Sequence, residues 1–351
     1  MALRNEAYSP KEWQIAIGLD NTVGKAHGAG TAASTLYALE VDSVSFPTIG
    51  DTRVADKRAG SSGRVLNSGD LLKIEAGAVH EWGFSGVPVT QDIIEFFVQN
   101  ALGTTAVSNQ TTITTGWNPN AFSFGTGAET AGWDKTFSIY MTGVSQPTDP
   151  TSYYMGGCVI TSLTLSANPN EEGGRWKMDF TVQSRSPFVS NASAGVAIDN
   201  AYTSNYVYLG EGTQTNKVMD QEVYLDSVSV TIENPVVFHG TYWDGTDHYP
   251  EAYQRAIPGL NISANAVIKY DQNVEQLFGI KRDMTASSTA GLFISNNANI
   301  DNATQFGIEI PIALLDDISL DEGDYMKLNC SMKALDNSSA DVINIVTGTW
   351  A

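Results

Sequence analysis

The chain has 351 residues, 39 acidic against 19 basic, a formal charge of −20, 32 glycines and two cysteines. That length accommodates two or three domains with a full apolar core, so no disulfide staple is needed, and Cys158 and Cys330 make neither a disulfide framework nor a metal cluster. Phosphate backbones are gripped mainly by Lys and Arg, so the acidic balance excludes a protein built to hold nucleic acid; 42% apolar and 17% charged residues exclude a disordered chain.

The first residues carry no apolar h-region, and the densest apolar stretch, Ile93 to Val98, is interrupted by Glu95 and too short for a bilayer. A protein made in the cytoplasm and without a membrane anchor is expected. Trp13-Gln14-Ile15-Ala16-Ile17-Gly18 reads as a short strand or arm, followed by the flexible stretch Gly28 to Ser34. Gly28-Ala29-Gly30-Thr31-Ala32-Ala33 has the spacing of a dinucleotide fingerprint, but no buried strand turns there directly into a helix, so it reads as a linker.

Asp42-Ser43-Val44-Ser45-Phe46 is the next strand, and Asp51 to Val65 then concentrates Arg53, Lys57, Arg58 and Arg64 in a Gly/Ser-bearing stretch. Two readings stand for that basic stretch: a solvated loop, or a docking arm for an acidic surface. The second half of the chain is such a surface, because residues 1–190 carry 12 basic and 18 acidic side chains, net −6, and residues 191–351 carry 7 and 21, net −14.

A strand over roughly Ala78 to Val87 leads into a predicted helix over Thr90 to Leu102, with Ile93, Ile94, Phe97, Val98 and Ala101 at helical spacing, a cap-type residue at its start and Gly103 at its end. Gly83-Phe84-Ser85-Gly86 lacks the spacing of a nucleophile elbow, which leaves Ser85 a strand residue. Thr104 to Lys135 reads as a Gly/Thr/Asn-rich loop. Trp176, Met178, Phe180 and Val182 alternate with polar residues, as do Val228, Val230 and Ile232, and Met326, Leu328, Cys330 and Met332; period two marks strands with one dry face.

Asn191 to Gln221 reads as a surface linker, Gly259 to Ile268 as a strand, Asp271 to Phe278 as a second helix closing on Gly279, and Thr285 to Thr304 as a loop. Among the histidines His27, His80, His239 and His248, the last two share a segment with Asp244 and Asp247, in a spacing that fits no compact ligand set. Asp316-Asp317 and Asp321-Glu322-Gly323-Asp324 lack the ligand order of an EF-hand and read as a turn with solvated carboxylates. No residue constellation stands out as catalytic, and neither an enzyme nor a bound cofactor or metal is expected.

The two halves read as a repeat, against the alternative of two unrelated β domains that share the same alternation. Asp42 to Phe46 reappears as Asp226-Ser227-Val228-Ser229-Val230, 184 residues later; Ile94-Glu95-Phe96-Phe97 reappears as Val274-Glu275-Gln276-Leu277, 180 later; and the strand starting at Trp176 reappears at Met326, 150 later. The order is kept while the offset shrinks, as an insertion in the first copy at about 104–135 requires. The organisation read from this is an arm over 1–37, a first β domain over 38–190, a linker over 191–221 and a second β domain over 222–351, with one short helix per copy.

Several of these segments together resemble the major tail tube proteins of long-tailed bacteriophages. The resemblance is carried by Trp13 to Gly18 ahead of small residues, by Asp42 to Pro47 followed by Arg58-Ala59-Gly60, and by Phe84-Ser85-Gly86-Val87-Pro88-Val89-Thr90 running into the helix. Tyr154-Met155-Gly156-Gly157-Cys158-Val159-Ile160-Thr161-Ser162-Leu163-Thr164-Leu165 and Asp226 to Pro235 extend it over most of the chain. It implies a mainly β protein with two tandem tail-tube domains, each a β-sandwich or partly closed barrel with one short α-helix.

Family domains form six-membered rings whose inner sheets join into one barrel, and the rings stack into a virion tail tube through which genome DNA passes unbound. With the domain duplicated, three chains supply one ring. The partners implied are the chain itself and the tape measure, tail initiator or baseplate, and tail terminator proteins. Asp42, Asp179 and Asp226 are then lumen-facing acidic candidates, and Arg53, Lys57, Arg58 and Arg64 candidates for a contact between rings or subunits. A carbohydrate-binding or adhesin module would also explain β structure with Trp133, Trp243 and Tyr-rich loops, and a β-sandwich hydrolase would need a convergent acid pair or triad.

Overall fold

A computed structural model describes residues 13–19, 36–46, 79–90, 136–143, 152–185, 206–209, 215–239, 260–295, 306–335 and 342–347, with shorter pieces at 53–55, 71–73, 93–94, 97–98, 101, 189–191, 198–199, 242–243, 248–249 and 252–255. In chain order its strands are β1 (Trp13–Leu19), β2 (Leu36–Leu39), β3 (Ser43–Ser45), β4 (Arg53–Ala55), β5 (Leu71–Lys73), β6 (His80–Pro88), β7 (Phe137–Gly143), β8 (Ser152–Ala167), β9 (Lys177–Ser184), β10 (Val189–Asn191), β11 (Ile198–Asp199) and β12 (Thr215–Val218). The rest are β13 (Gln221–Glu222), β14 (Leu225–Glu233), β15 (Val236–His239), β16 (Tyr242–Trp243), β17 (His248–Tyr249), β18 (Ala252–Arg255), β19 (Asn261–Lys269), β20 (Leu292–Ser295), β21 (Phe306–Ile310), β22 (Ala313–Glu322), β23 (Met326–Ala334) and β24 (Asn344–Thr347). The protein is mainly β, as its periodicity implies, and its described sheets are open rather than closed into a barrel.

Eight strands lie side by side in the order β3-β6-β9-β8-β14-β19-β23-β22, every neighbouring pair antiparallel. Alternation makes this sheet two-faced. Phe84, Phe180, Leu163, Leu165, Val228, Val230, Ala264, Ala266, Leu328 and Cys330 are buried on one face. Ser162, Thr164, Ser166, Ser229, Thr231, Ser263, Asn329 and Ser331, all half-buried, fall on the other. Each large apolar side chain taken fully out of water contributes about 1.5–3 kcal/mol, which fixes the register, because a one-residue slip would exchange the faces.

Strand β8 is the pivot of the fold. Its first half pairs with β7, and at Ser152 to Tyr154 with β10; its second half, from Val159, lies between β9 and β14. Gly157 sits between the halves at φ 63°, a backbone conformation that costs glycine least. Through β7 the first half reaches β1, β2 and β11. Ile93, Ile94, Phe97, Val98 and Ala101 are helical and buried, and the Phe97 ring lies 4.2 Å from that of Phe180 on β9 and 6.5 Å from that of Phe137 on β7. Trp82 stacks on Phe84 at 5.8 Å and donates its Nε1–H to Met155 Sδ at 3.3 Å.

A second sheet, β13-β12-β20-β21-β24, brings Phe306 edge-on to Trp176 at 5.1 Å. The pairs β4–β5, β15–β18 and β16–β17 complete the described strands.

Three expectations change. The second helix covers Gln276–Arg282 rather than 271–278, because Asp271 caps a turn by accepting the Asn273 N–H at 2.9 Å and the helix starts after it. The described parts of 191–221 do not wander over the surface: Val207 and Leu209 are buried, the Trp176 N–H donates to Val207 O, the Leu209 N–H donates to Gly174 O, and β12 is an inner strand. Asp316, Asp317, Asp321 and Glu322 belong to strand β22 rather than to a turn, which an edge strand permits because its outer side faces water. The stretch Thr104 to Lys135 lies outside the described residues.

Candidate assembly interface

The eight-strand sheet follows one pairing scheme twice. In β3-β6-β9-β8, Val44 faces Phe84, Phe84 faces Phe180, and Phe180 faces Leu163. In β14-β19-β23-β22, Val228 faces Ala266, Ala266 faces Cys330, and Cys330 faces Ile318. Both quartets carry a bulge at the corresponding place, between Ile160 and Ser162 in β8 and between Leu315 and Asp317 in β22. Leu163 and Ile318 are therefore counterparts, as are Leu165 and Leu320, and Val230 and Phe46.

The quartets are joined edge to edge by β8 and β14. Six residue pairs cross this joint, from Val228 opposite Ala167 to Glu233 opposite Ser162. Leu165 and Val230 face each other in its middle, both fully buried. On the polar side Thr164 Oγ1 and Thr231 Oγ1 are 3.0 Å apart. At the far end Asn234 donates its backbone N–H to Thr161 O and its side-chain amide to Ile160 O, both at 2.8 Å. On the polar face beside the joint lies a hollow of about 330 Å³, lined among others by Ser166, Asn168, Arg175, Lys177, Ser229 and Asn265.

The strands at the outer edges of this sheet, β3 and β22, have no strand partner on their outer sides among the described residues. Lys281 of the helix covers the upper part of β22, donating to Leu315 O at 3.3 Å and to Asp316 O. Below it, Ser319 to Glu322 are exposed. Phe46, just past β3, is 54% exposed, and Leu320 on β22 is 48% exposed. The 184-residue repeat already aligns Phe46 with Val230, but no sequence signal marks Leu320; its counterpart relation to Leu165 comes from the strand registers.

The three acidic candidates are all engaged. Asp42 pairs with Lys177 at 3.1 Å, and Lys177 also reaches Glu172 at 2.6 Å. Asp226 pairs with Lys327 at 2.5 Å and accepts the Tyr325 hydroxyl at 2.6 Å. The ion pair thus recurs at counterpart positions of the two quartets. Asp179 accepts from Ser85 Oγ at 2.9 Å and from the Gly86 N–H at 2.7 Å. Hydrogen bonds from Lys327 and then Tyr325 hold the Asp226 carboxyl below the ordinary carboxylate range, and the same carboxylate raises both partners. Carboxylates with such partners do not form a bare acidic wall.

Of the basic candidates, Arg53 opens β4, which pairs with β5. Lys57, Arg58 and Arg64 lie outside the described residues, as do Asp244 and Asp247. His239 ends β15 and His248 opens β17. Among the described residues, no three His, Cys, Asp or Glu side chains are grouped to hold a metal ion, and no helix is long and apolar enough to cross a membrane. Comparison with family models finds no match, and a search of curated proteins finds none either.

Proposed function

We propose that the chain is a self-assembling structural subunit, a tail-tube protein with a duplicated tube domain, that forms closed rings by continuing its eight-strand sheet from copy to copy. The observation that carries this reading is the doubled pairing scheme with its internal joint. Each chain holds one finished β8–β14 joint and presents the two edges from which another could be made. An open edge is a hazard for a monomer and a connector for a polymer. Three chains, each supplying two quartets, would close a pseudo-sixfold ring, and stacked rings would form a conduit for genome DNA in a phage tail.

In this reading the polar face lines the lumen. It is dominated by hydroxyl and amide side chains; Lys177 there is paired with Asp42 and Glu172 and Lys327 with Asp226, while Lys269 and Lys333 lie on the same face without an ion pair among the described residues. Such a wall offers phosphates few uncompensated cations and therefore little counterion-release gain to hold them, while the overall charge of −20 keeps DNA at a distance. Negative-stain microscopy of the purified chain at increasing concentration tests the proposal. Stacked rings of about six lobes, matching the two-quartet chain, are expected. Unassociated particles at every concentration, with or without a tail initiator, would overturn it.

A further inference from the structure

The joint between copies can be specified residue by residue, on the footing that the chain assembles as proposed above. Transferring the β8–β14 register onto the free edges sets Glu322 opposite Val44, Asp321 opposite Ser45 and Leu320 opposite Phe46. We infer that β22 of one copy pairs antiparallel with β3 of the next in this register, and that Leu320 and Phe46 close its apolar side.

Burial of counterpart residues marks the missing neighbour. Leu165 and Val230 are 0% exposed inside the chain, whereas Leu320 and Phe46 are about half exposed. Trp176 is 2% exposed, with the Phe306 ring 5.1 Å away; its counterpart Met326 is 46% exposed. Phe46 already leans on Trp82, ring to ring at 5.9 Å, on the apolar face where a partner's Leu320 would arrive. The occupant that fits is a second copy of this chain, because the joint it would complete already exists once within the chain.

This joint lacks the end contact that Asn234 gives the internal one. The two carbonyls that Asn234 takes on β8, those of Ile160 and Thr161, correspond to those of Leu315 and Asp316, which Lys281 of the same chain takes on β22. Carboxylates at Asp321 and Glu322 replace Ser166 and Ala167 at the counterpart positions. The joint between copies is the weaker of the two, so rings come apart into whole chains.

Cysteine cross-linking tests the register. Cys158 and Cys330 are buried and do not compete. A chain carrying Leu320→Cys with Phe46→Cys is oxidised under assembling conditions beside one carrying Leu320→Cys with Val44→Cys, two residues out of register on the same face. Both chains are also imaged. The expected result is disulfide-linked dimers and trimers at least about tenfold more abundant for the first chain, because disulfide geometry tolerates little more than an ångström of misplacement. Rings that cross-link better through Val44, or through neither pair, would overturn the register while leaving ring assembly intact. Monomers throughout would overturn both the ring reading and this joint.

Discussion

Leu165 and Val230 face each other across the β8–β14 joint with no solvent exposure. The joint is thus part of the hydrophobic core rather than a surface contact between two independent halves. Truncating Leu165 to Ala should destabilise the chain by about 2–5 kcal/mol, the usual cost of a buried Leu→Ala cavity. Truncating its exposed counterpart Leu320 should change monomer stability by about 0.5 kcal/mol or less, and should act on assembly instead. Urea unfolding of the two variants, with particle size measured in parallel, separates the effects.

Asp220, in the turn between β12 and β13 of the second sheet, holds the segment Ser288 to Ala290 that leads into β20. Its carboxylate accepts from the backbone N–H of Ser288 at 2.7 Å, Thr289 at 3.0 Å and Ala290 at 2.7 Å, and from the Thr289 hydroxyl at 2.7 Å. Burial pushes this carboxyl up, but the backbone bond from Ser288 and those from Thr289 and Ala290 more than offset it, so it sits below its ordinary value. A lowered folded-state pKa means that the stabilisation is complete above the ordinary carboxylate value, about 4, and is lost as pH falls from there through the folded-state value. Thermal unfolding between pH 7 and 3 should show this loss in the parent chain. Asp220→Asn should be less stable by about 1–3 kcal/mol at pH 7 and should lack that part of the acid dependence.

Gly86 has φ 72°, and its N–H donates to Asp179. A methyl group there would meet the Asp42 carboxylate at 2.1 Å. Gly86→Ala should cost about 1–3 kcal/mol, from the backbone strain and from displacement of Asp42 away from Lys177. Chemical denaturation checks it, and an unchanged midpoint would contradict this geometry.

The basic stretch supplies a charge test of contacts between rings or subunits. Reversing Lys57 and Arg58 to Glu should slow tube growth and reduce its dependence on salt, because attraction between exposed charges is screened with a Debye length of about 8 Å at physiological ionic strength. Light-scattering assembly curves at low and high salt read this out. Unchanged curves would remove the docking role of that stretch.

How much was legible follows the physics of each strand. Strands β9, β14 and β23 have one dry face, so their alternation is plain, and the offsets of 184 and 150 read from sequence coincide with the counterpart positions set by the registers. Strand β8 enters the sequence reading only through the motif Tyr154 to Leu165 and is not identified there as a strand. Met155 to Ile160 are all buried, and burial on both sides leaves no alternation to read. Strand β22 was mistaken for a turn because an edge strand accepts carboxylates that an inner strand would reject. Asp42, Asp179 and Asp226 were visible as acids, but their partners Lys177, Ser85 and Lys327 come from other strands. Phe46 and Leu320 are unremarkable apolar residues until the registers identify what their counterparts touch.

The central claim is that the chain joins its own copies as it joins its own halves. Cryo-electron microscopy of the assembled protein tests it most directly. The expected map shows three chains per ring, with β3 of each copy lying beside β22 of its neighbour so that the eight-strand sheets run on without a break. Rings of six chains, or rings in which β3 and β22 face solvent, would contradict it.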